Sequence, residues 1–121
     1  MCKRGDIYYV DFGKNIETKK QCGIRPALVV SNNRANEYSP VITVVPLTSK
    51  INKKRFLPTH VFIPSNCGSG LSRGSLALAE QVETIDKEQL LEKKGSILSA
   101  TIMEEITTAI QIQIGVFDEY N

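Results

Sequence analysis

The chain has 121 residues, which predicts one domain over 1–121, long enough to bury a single core without disulfides or metal. Its 41% hydrophobic and 23% charged content is ordinary for a soluble globular protein, and no apolar run approaches the roughly 18 residues needed to span a bilayer. The net charge of +2 hides an asymmetry: residues 1–75 hold 12 Lys/Arg against 4 Asp/Glu, and residues 76–121 hold 3 against 9. Either the basic half faces an anionic partner, or both halves mix on one surface and the dipole is weak.

Lys3 and Arg4 are not followed by an apolar segment, so the N-terminus does not read as a signal peptide. Cys2, Cys22 and Cys67 are an odd, scattered set without a CxxC pair. They point to reduced thiols in a cytoplasm rather than to a disulfide framework. With a single histidine, His60, they also make a poor zinc ligand set.

In chain order, Ile7–Asp11 reads as a first strand, β-branched and aromatic. Residues 13–22 are polar, with Lys14, Lys19 and Lys20, and read as a long basic loop, a kind that often carries function. Gly23, Arg25 and Pro26 then lead into a second, buried strand over Ala27–Ser31. Pro26 pushes Arg25 into an extended conformation at the mouth of that strand. There the guanidinium either pairs with a surface carboxylate or belongs to a binding or catalytic constellation. A helical turn with Ser31 or Asn32 as N-cap ends at Pro40. Val41–Leu47 is a third strand, in which Pro46 marks an edge or bulge.

Thr48 and Ser49 sit where this strand leaves the sheet, followed by Lys50, Lys53, Lys54 and Arg55. Pro58–Pro64 is a fourth strand, and 75–85 reads as one or two more. Asp86 and Gln89 make a capping box opening a short helix through Leu90 and Leu91, and 94–98 suits a last short strand. Ser99 caps a longer helix with Ile102, Met103, Ile106, Ala109, Ile110 and Gln113 on one face, and Gly115 stops it. Strands and helices do not alternate. The expected fold is therefore α+β, mainly β: a small antiparallel barrel or sheet with a short helix and a C-terminal helix.

One histidine excludes a mechanism with two, and mid-strand His60 reads as a structural or surface imidazole. There is no phosphate-binding glycine loop, HExxH or GxSxG, and the basic half offers too few carboxylates for metal-assisted hydrolysis. What remains is Arg25, the hydroxyls of Thr48 and Ser49, and lysines on the flanking loops. That set suits binding a phosphate or a developing oxyanion.

The runs Arg4–Asp11 and Gly23–Asn32 resemble the opening of the MazF/PemK toxin family. Tyr38–Pro40, Val44–Ile51, Leu57–Val61 and Ala79–Lys87 continue the likeness nearly end to end. The resemblance implies an SH3-like barrel, a homodimer, and a metal-independent endoribonuclease paired with an antitoxin, without a cofactor. It implies cleavage of single-stranded RNA at short sites, ACA-containing in many relatives, leaving a 2′,3′-cyclic phosphate and a 5′-hydroxyl. Arg25 and Thr48 match the family's catalytic arginine and threonine, and Ser49 falls beside them. Gln81 and the loop after the first strand match RNA-holding regions. The RNA-binding candidates are thus Lys19, Lys20, Gln21, Lys50, Lys53, Lys54, Arg55 and Gln81.

The alternatives are a gyrase-poisoning toxin of the same fold and a non-catalytic RNA-binding barrel. Where many relatives have Gln-Gly-Gly before the arginine, this chain has Lys19-Lys20-Gln21-Cys22-Gly23, with Cys22 either an inert small residue or a redox-sensitive thiol. The Ser72–Ser75 turn lacks the acidic residue common in relatives. An arginine is an awkward base, since its pKa exceeds about 12, so Arg25 is expected to stabilise charge and the base stays unassigned.

Overall fold

Two apolar runs, Ala27–Val30 and Val41–Leu47, form the middle of the molecule. In the computed structural model, which describes residues 1–14, 20–51, 57–65 and 68–117, they lie side by side and antiparallel. The strands are β1 (Asp6–Asp11), β2 (Ile24–Val29), β3 (Val41–Thr48), β4 (His60–Ile63), β5 (Ser75–Leu78), β6 (Glu83–Asp86) and β7 (Leu90–Ser96). The helices are α1 (Asn33–Tyr38) and α2 (Ala100–Gln113), with 3₁₀ turns at Ala79–Gln81 and Lys87–Gln89. The sheet order is β4-β5-β3-β2-β1-β7, and β6 also pairs with β3. The end strands β4 and β7 do not pair, so this barrel-like sheet stays open.

The central strands carry continuous apolar runs because both their faces are buried. Leu28, Val45 and Leu47 point to one side, where Ile7, Ile63, Ile106 and Ala109 join them. Ala27, Val29, Ile42 and Val44 point to the other, with Val10, Ile85 and Cys2. Helix α2 covers the first side through Ile102, Met103, Ile106, Ala109 and Ile110, whereas Gln113 is exposed. Each fully buried Leu, Ile or Val contributes about 1.5–3 kcal/mol. The Arg4 guanidinium donates to the Val30 carbonyl and to Thr107 Oγ1 (2.7 Å), tying α2 to the end of β2.

Both helix caps form as expected. Asn32 Oδ1 accepts from the Ala35 N–H (2.8 Å), Ser99 Oγ accepts from the Ile102 N–H (3.2 Å), and α2 ends just before Gly115. Segment 75–85 resolves into β5, a 3₁₀ turn and β6. Two boundaries differ from expectation. β2 begins three residues early, so Arg25 and Pro26 lie inside the strand, opposite Val10 and Tyr9 of β1. The Asp86–Gln89 capping box forms but holds only one 3₁₀ turn. Leu90 and Leu91 then enter β7 instead of a helix. The free edge of β1 offers a partner along its whole length, and an isolated helix this short is marginal in water.

His60 is buried in the structural role the sequence allowed. Its Nδ1 accepts from the Leu57 N–H (3.3 Å), so Nε2 donates to Glu80 (2.9 Å). Thr59 Oγ1 donates to the other Glu80 oxygen (2.8 Å). His60→Ala opens a cavity and strips Glu80 of a donor, and should lower unfolding stability by about 2–4 kcal/mol in urea melts. A second prediction concerns alkaline pH. Burial pushes the Cys2 thiol above its ordinary 9.0 and the Tyr8 phenol above its ordinary 10.0. The folded state disfavours both anions, so their contribution is complete below those values and is lost as pH rises past them. Thermal midpoints should fall from pH 9 upward, and Cys2→Ala should remove the part of the fall that starts first.

Candidate active site

β2 and β3 are hydrogen-bonded over Ala27↔Pro46, Leu28↔Val45 and Val29↔Val44, and the ladder stops there. Pro26, the next residue outward on β2, has no N–H to donate across to β3. Extending the same register by two residues puts Arg25 across from Thr48. Beyond the last paired residues a cleft of about 250 Å³ opens, and both side chains line it. Ser49 and Lys50 lie on the same wall.

The polar atoms of the pair are half engaged, which leaves defined groups for a ligand. Arg25 Nε donates to the Cys22 carbonyl (3.0 Å). This bond anchors the guanidinium while its two terminal amino groups have no partner among the described residues. Cys22 therefore contributes its carbonyl to the site. Thr48 Oγ1 accepts from the Lys50 N–H (3.2 Å), so the hydroxyl proton remains available to donate. Thr48 is buried, with 5% of its surface exposed, which holds that hydroxyl in one place.

The described residues on either side of 15–19 are tied at several points. Gly13 and Gly23 meet, the Gly23 N–H donating to the Gly13 carbonyl (2.6 Å). Farther along, Gln81 Oε1 accepts from the Gln21 N–H (2.7 Å), and Lys20 pairs with Glu83 (3.7 Å). Gln21 and Gln81 thus meet each other, apart from the Arg25–Thr48 wall, and the Lys20 charge is partly balanced. Lys19, Lys53, Lys54 and Arg55 lie outside the described residues.

The opposite walls come from residues to which the sequence reading gave no role. Tyr9 of β1, Lys94 of β7, and Leu71, Ser72, Arg73 and Ser75 before and within β5 complete the lining. Nothing local marks them: each reaches the cleft only through strand pairing or loop packing distant in sequence. Four lining side chains are cationic (Arg25, Lys50, Arg73 and Lys94), and none of the lining residues is acidic. Among the described residues the ion pairs are Lys20–Glu83 and Lys93–Asp6, and Glu80 is bonded to His60, so none neutralises these four. Such a cleft attracts anions. No cluster of His, Cys, Asp or Glu able to hold a metal ion occurs among the described residues, and no described helix is long and apolar enough to cross a membrane.

An endoribonuclease MazF from Staphylococcus saprophyticus subsp. saprophyticus is 39% identical over 115 residues, covering 95% of this chain and 92% of that protein. A mycobacterial endoribonuclease, solved in complex with its cognate antitoxin, superposes with a TM-score of 0.77 at 28% identity, covering 97% of this chain and 98% of its own. MazF from Deinococcus radiodurans shares the fold, with a TM-score of 0.77 at 23% identity over 94% of this chain and 96% of its own. The model of the PemK-like, MazF-like toxins of type II toxin–antitoxin systems matches residues 3–114, and the chain belongs to that family.

Proposed function

We propose that this MazF-type endoribonuclease toxin cuts single-stranded RNA at short sequences, with Arg25 and Thr48 as its catalytic residues and Ser49 in support. The observation that carries the reading is the meeting of the Arg25 guanidinium and the Thr48 hydroxyl in one cationic cleft without a carboxylate. The ribose 2′-OH attacks the adjacent phosphorus, the P–O5′ bond breaks, and the products are a 2′,3′-cyclic phosphate and a 5′-hydroxyl. The substrate supplies the nucleophile, so DNA does not react. Negative charge gathers on the phosphoryl oxygens in the transition state. The two terminal amino groups of Arg25 donate to them as a fork, and Thr48 adds a third hydrogen bond. This chemistry needs donors rather than metal-binding oxygens, which agrees with the residues lining the cleft.

Gln21 and Gln81 hold the strand beside the cleft, and Lys20 and Lys50 add phosphate contacts. Lys19, Lys53, Lys54 and Arg55, outside the described residues, stay RNA-binding candidates on the family resemblance. The working unit is a homodimer in the cytoplasm, as the family resemblance implies. The partner of the mycobacterial relative supports a cognate antitoxin for this chain too. An acidic, partly disordered antitoxin tail would occupy the same cleft, matching its charge and ordering on binding.

Mixed RNA incubated with the purified protein in EDTA should yield discrete fragments, and sequencing their ends should reveal a short common string. Arg25→Ala and Thr48→Ala should each slow cutting on the order of 100-fold or more, with unchanged thermal melts. Wild-type rates from either folded variant would refute the assignment.

A further inference from the structure

We propose that Lys94, oriented by the Tyr9 hydroxyl, forms with Arg73 a second phosphate subsite in the cleft, for a phosphodiester flanking the one held by Arg25 and Thr48. The proposal deepens the nuclease reading above and rests on it for the identity of the strand.

Charge is the first argument. One phosphodiester carries one negative charge, yet the cleft gathers four cationic side chains. Concentrating unbalanced cations costs stability through their mutual repulsion, and a polyanion relieves it. Placement is the second. Lys94 stands on β7, two strands from Arg25 across β1, roughly 10 Å at the usual inter-strand spacing, and it lies beside Ile7 and Tyr8 rather than level with Val10 and Arg25, which adds a further offset along the strands. At that separation the proposed subsite serves a neighbouring phosphate of the strand rather than the one at Arg25.

Orientation is the third. Lys94 Nζ donates to Tyr9 Oη (2.9 Å) and lies 4.5 Å from the ring centre, within cation–π range. An ammonium has three protons to donate, so two remain for a ligand. No carboxylate among the described residues pairs with it, whereas its neighbour Lys93 pairs with Asp6 (3.5 Å). Tyr9 thus fixes the position of the Lys94 charge without cancelling it.

Rigidity of the walls is the fourth. At Gly70 (φ +75°) an added Cβ would stand 2.1 Å from the Lys94 carbonyl oxygen, and at Gly95 it would stand 2.4 Å from the Gly68 carbonyl oxygen. The Ser96 N–H also donates to the Gly68 carbonyl (3.0 Å). The backbone leading into Leu71–Ser75 is therefore pressed against β7. The backbones that carry Lys94 and lead to Arg73 are thus packed together, and both side chains line the cleft.

The test is the salt dependence of binding to a fluorescein-labelled, mixed-sequence single-stranded DNA. This probe has the phosphates but lacks the 2′-OH, so it is not consumed. Each phosphate contact contributes about −0.7 to the slope of log affinity against log salt. Lys94→Met should make the slope shallower by about 0.7 and weaken binding severalfold at 100 mM KCl (about half a pK unit or more). Lys94→Arg should restore the wild-type slope. Tyr9→Phe should weaken binding less than Lys94→Met while keeping the slope, since the charge remains but its anchor is gone. A Lys94→Met slope equal to wild type, in protein with an unchanged melt, overturns the subsite. Failure of the wild-type protein to cut RNA would instead refute the nuclease reading, and a slope change in Lys94→Met would still establish the anion site.

Discussion

The site depends on where two neighbouring strands stop being hydrogen-bonded. β2 and β3 are locked together through Ala27↔Pro46, and the next residues outward on either strand part company. Pro26 removes the donor that would have bonded across to β3 at the next step outward. Had the ladder run on, Arg25 and Thr48 would sit against each other across a closed sheet surface. Because it stops, the space beyond becomes a cleft, and the last ordered pairs aim both side chains into it. Their geometry is inherited from a rigid core: Leu28, Val29, Val44 and Val45 beneath them are fully buried. A constellation mounted on buried strands is held more precisely than one mounted on loops.

Charge is distributed so that the cleft stays cationic. Three acidic side chains are engaged away from the cleft. Glu83 takes Lys20, and Glu80 takes His60 and Thr59. Asp6 accepts from Ser96 Oγ and the Lys3 N–H and pairs with Lys93. Arg25, Lys50, Arg73 and Lys94 are left without a counter-charge among the described residues. The lone histidine, the residue one would first suspect of proton transfer in a nuclease, is committed to packing under β5 with both ring nitrogens engaged. The cleft is thus lined by cations and hydroxyls and by no carboxylate. That agrees with a chemistry in which the substrate brings its own nucleophile and the protein stabilises charge.

The sequence and fold comparisons show the family, and the structure shows a cationic cleft lined by Arg25, Thr48 and Ser49. A fold alone would carry little, since small barrels serve many ends. Here the likeness spans nearly the whole chain, and the residues singled out by elimination (one arginine and two hydroxyls) line the cleft between β2 and the end of β3. Lys94 and Tyr9 add a feature particular to the far wall, where a cation is fixed in place by a phenol rather than by a carboxylate.

What the amino-acid sequence by itself determined is what depends on neighbours a few residues away. The apolar runs at 27–30 and 41–47 marked the central strands, Asn32 and Ser99 marked helix starts, and the resemblance pointed to Arg25 and Thr48. Tertiary structure decided the rest. Leu90 and Leu91 follow a well-formed capping box, yet they join β7 because the edge of β1 offers more hydrogen bonds than a few residues of helix can. Arg25 moved from the mouth of β2 to its interior because β1 extends far enough to pair with it. Tyr9, Arg73 and Lys94 carried no local signal at all. They meet through strand register and through glycines that let two backbones touch, and such contacts between distant parts of the chain leave no periodicity in any single stretch.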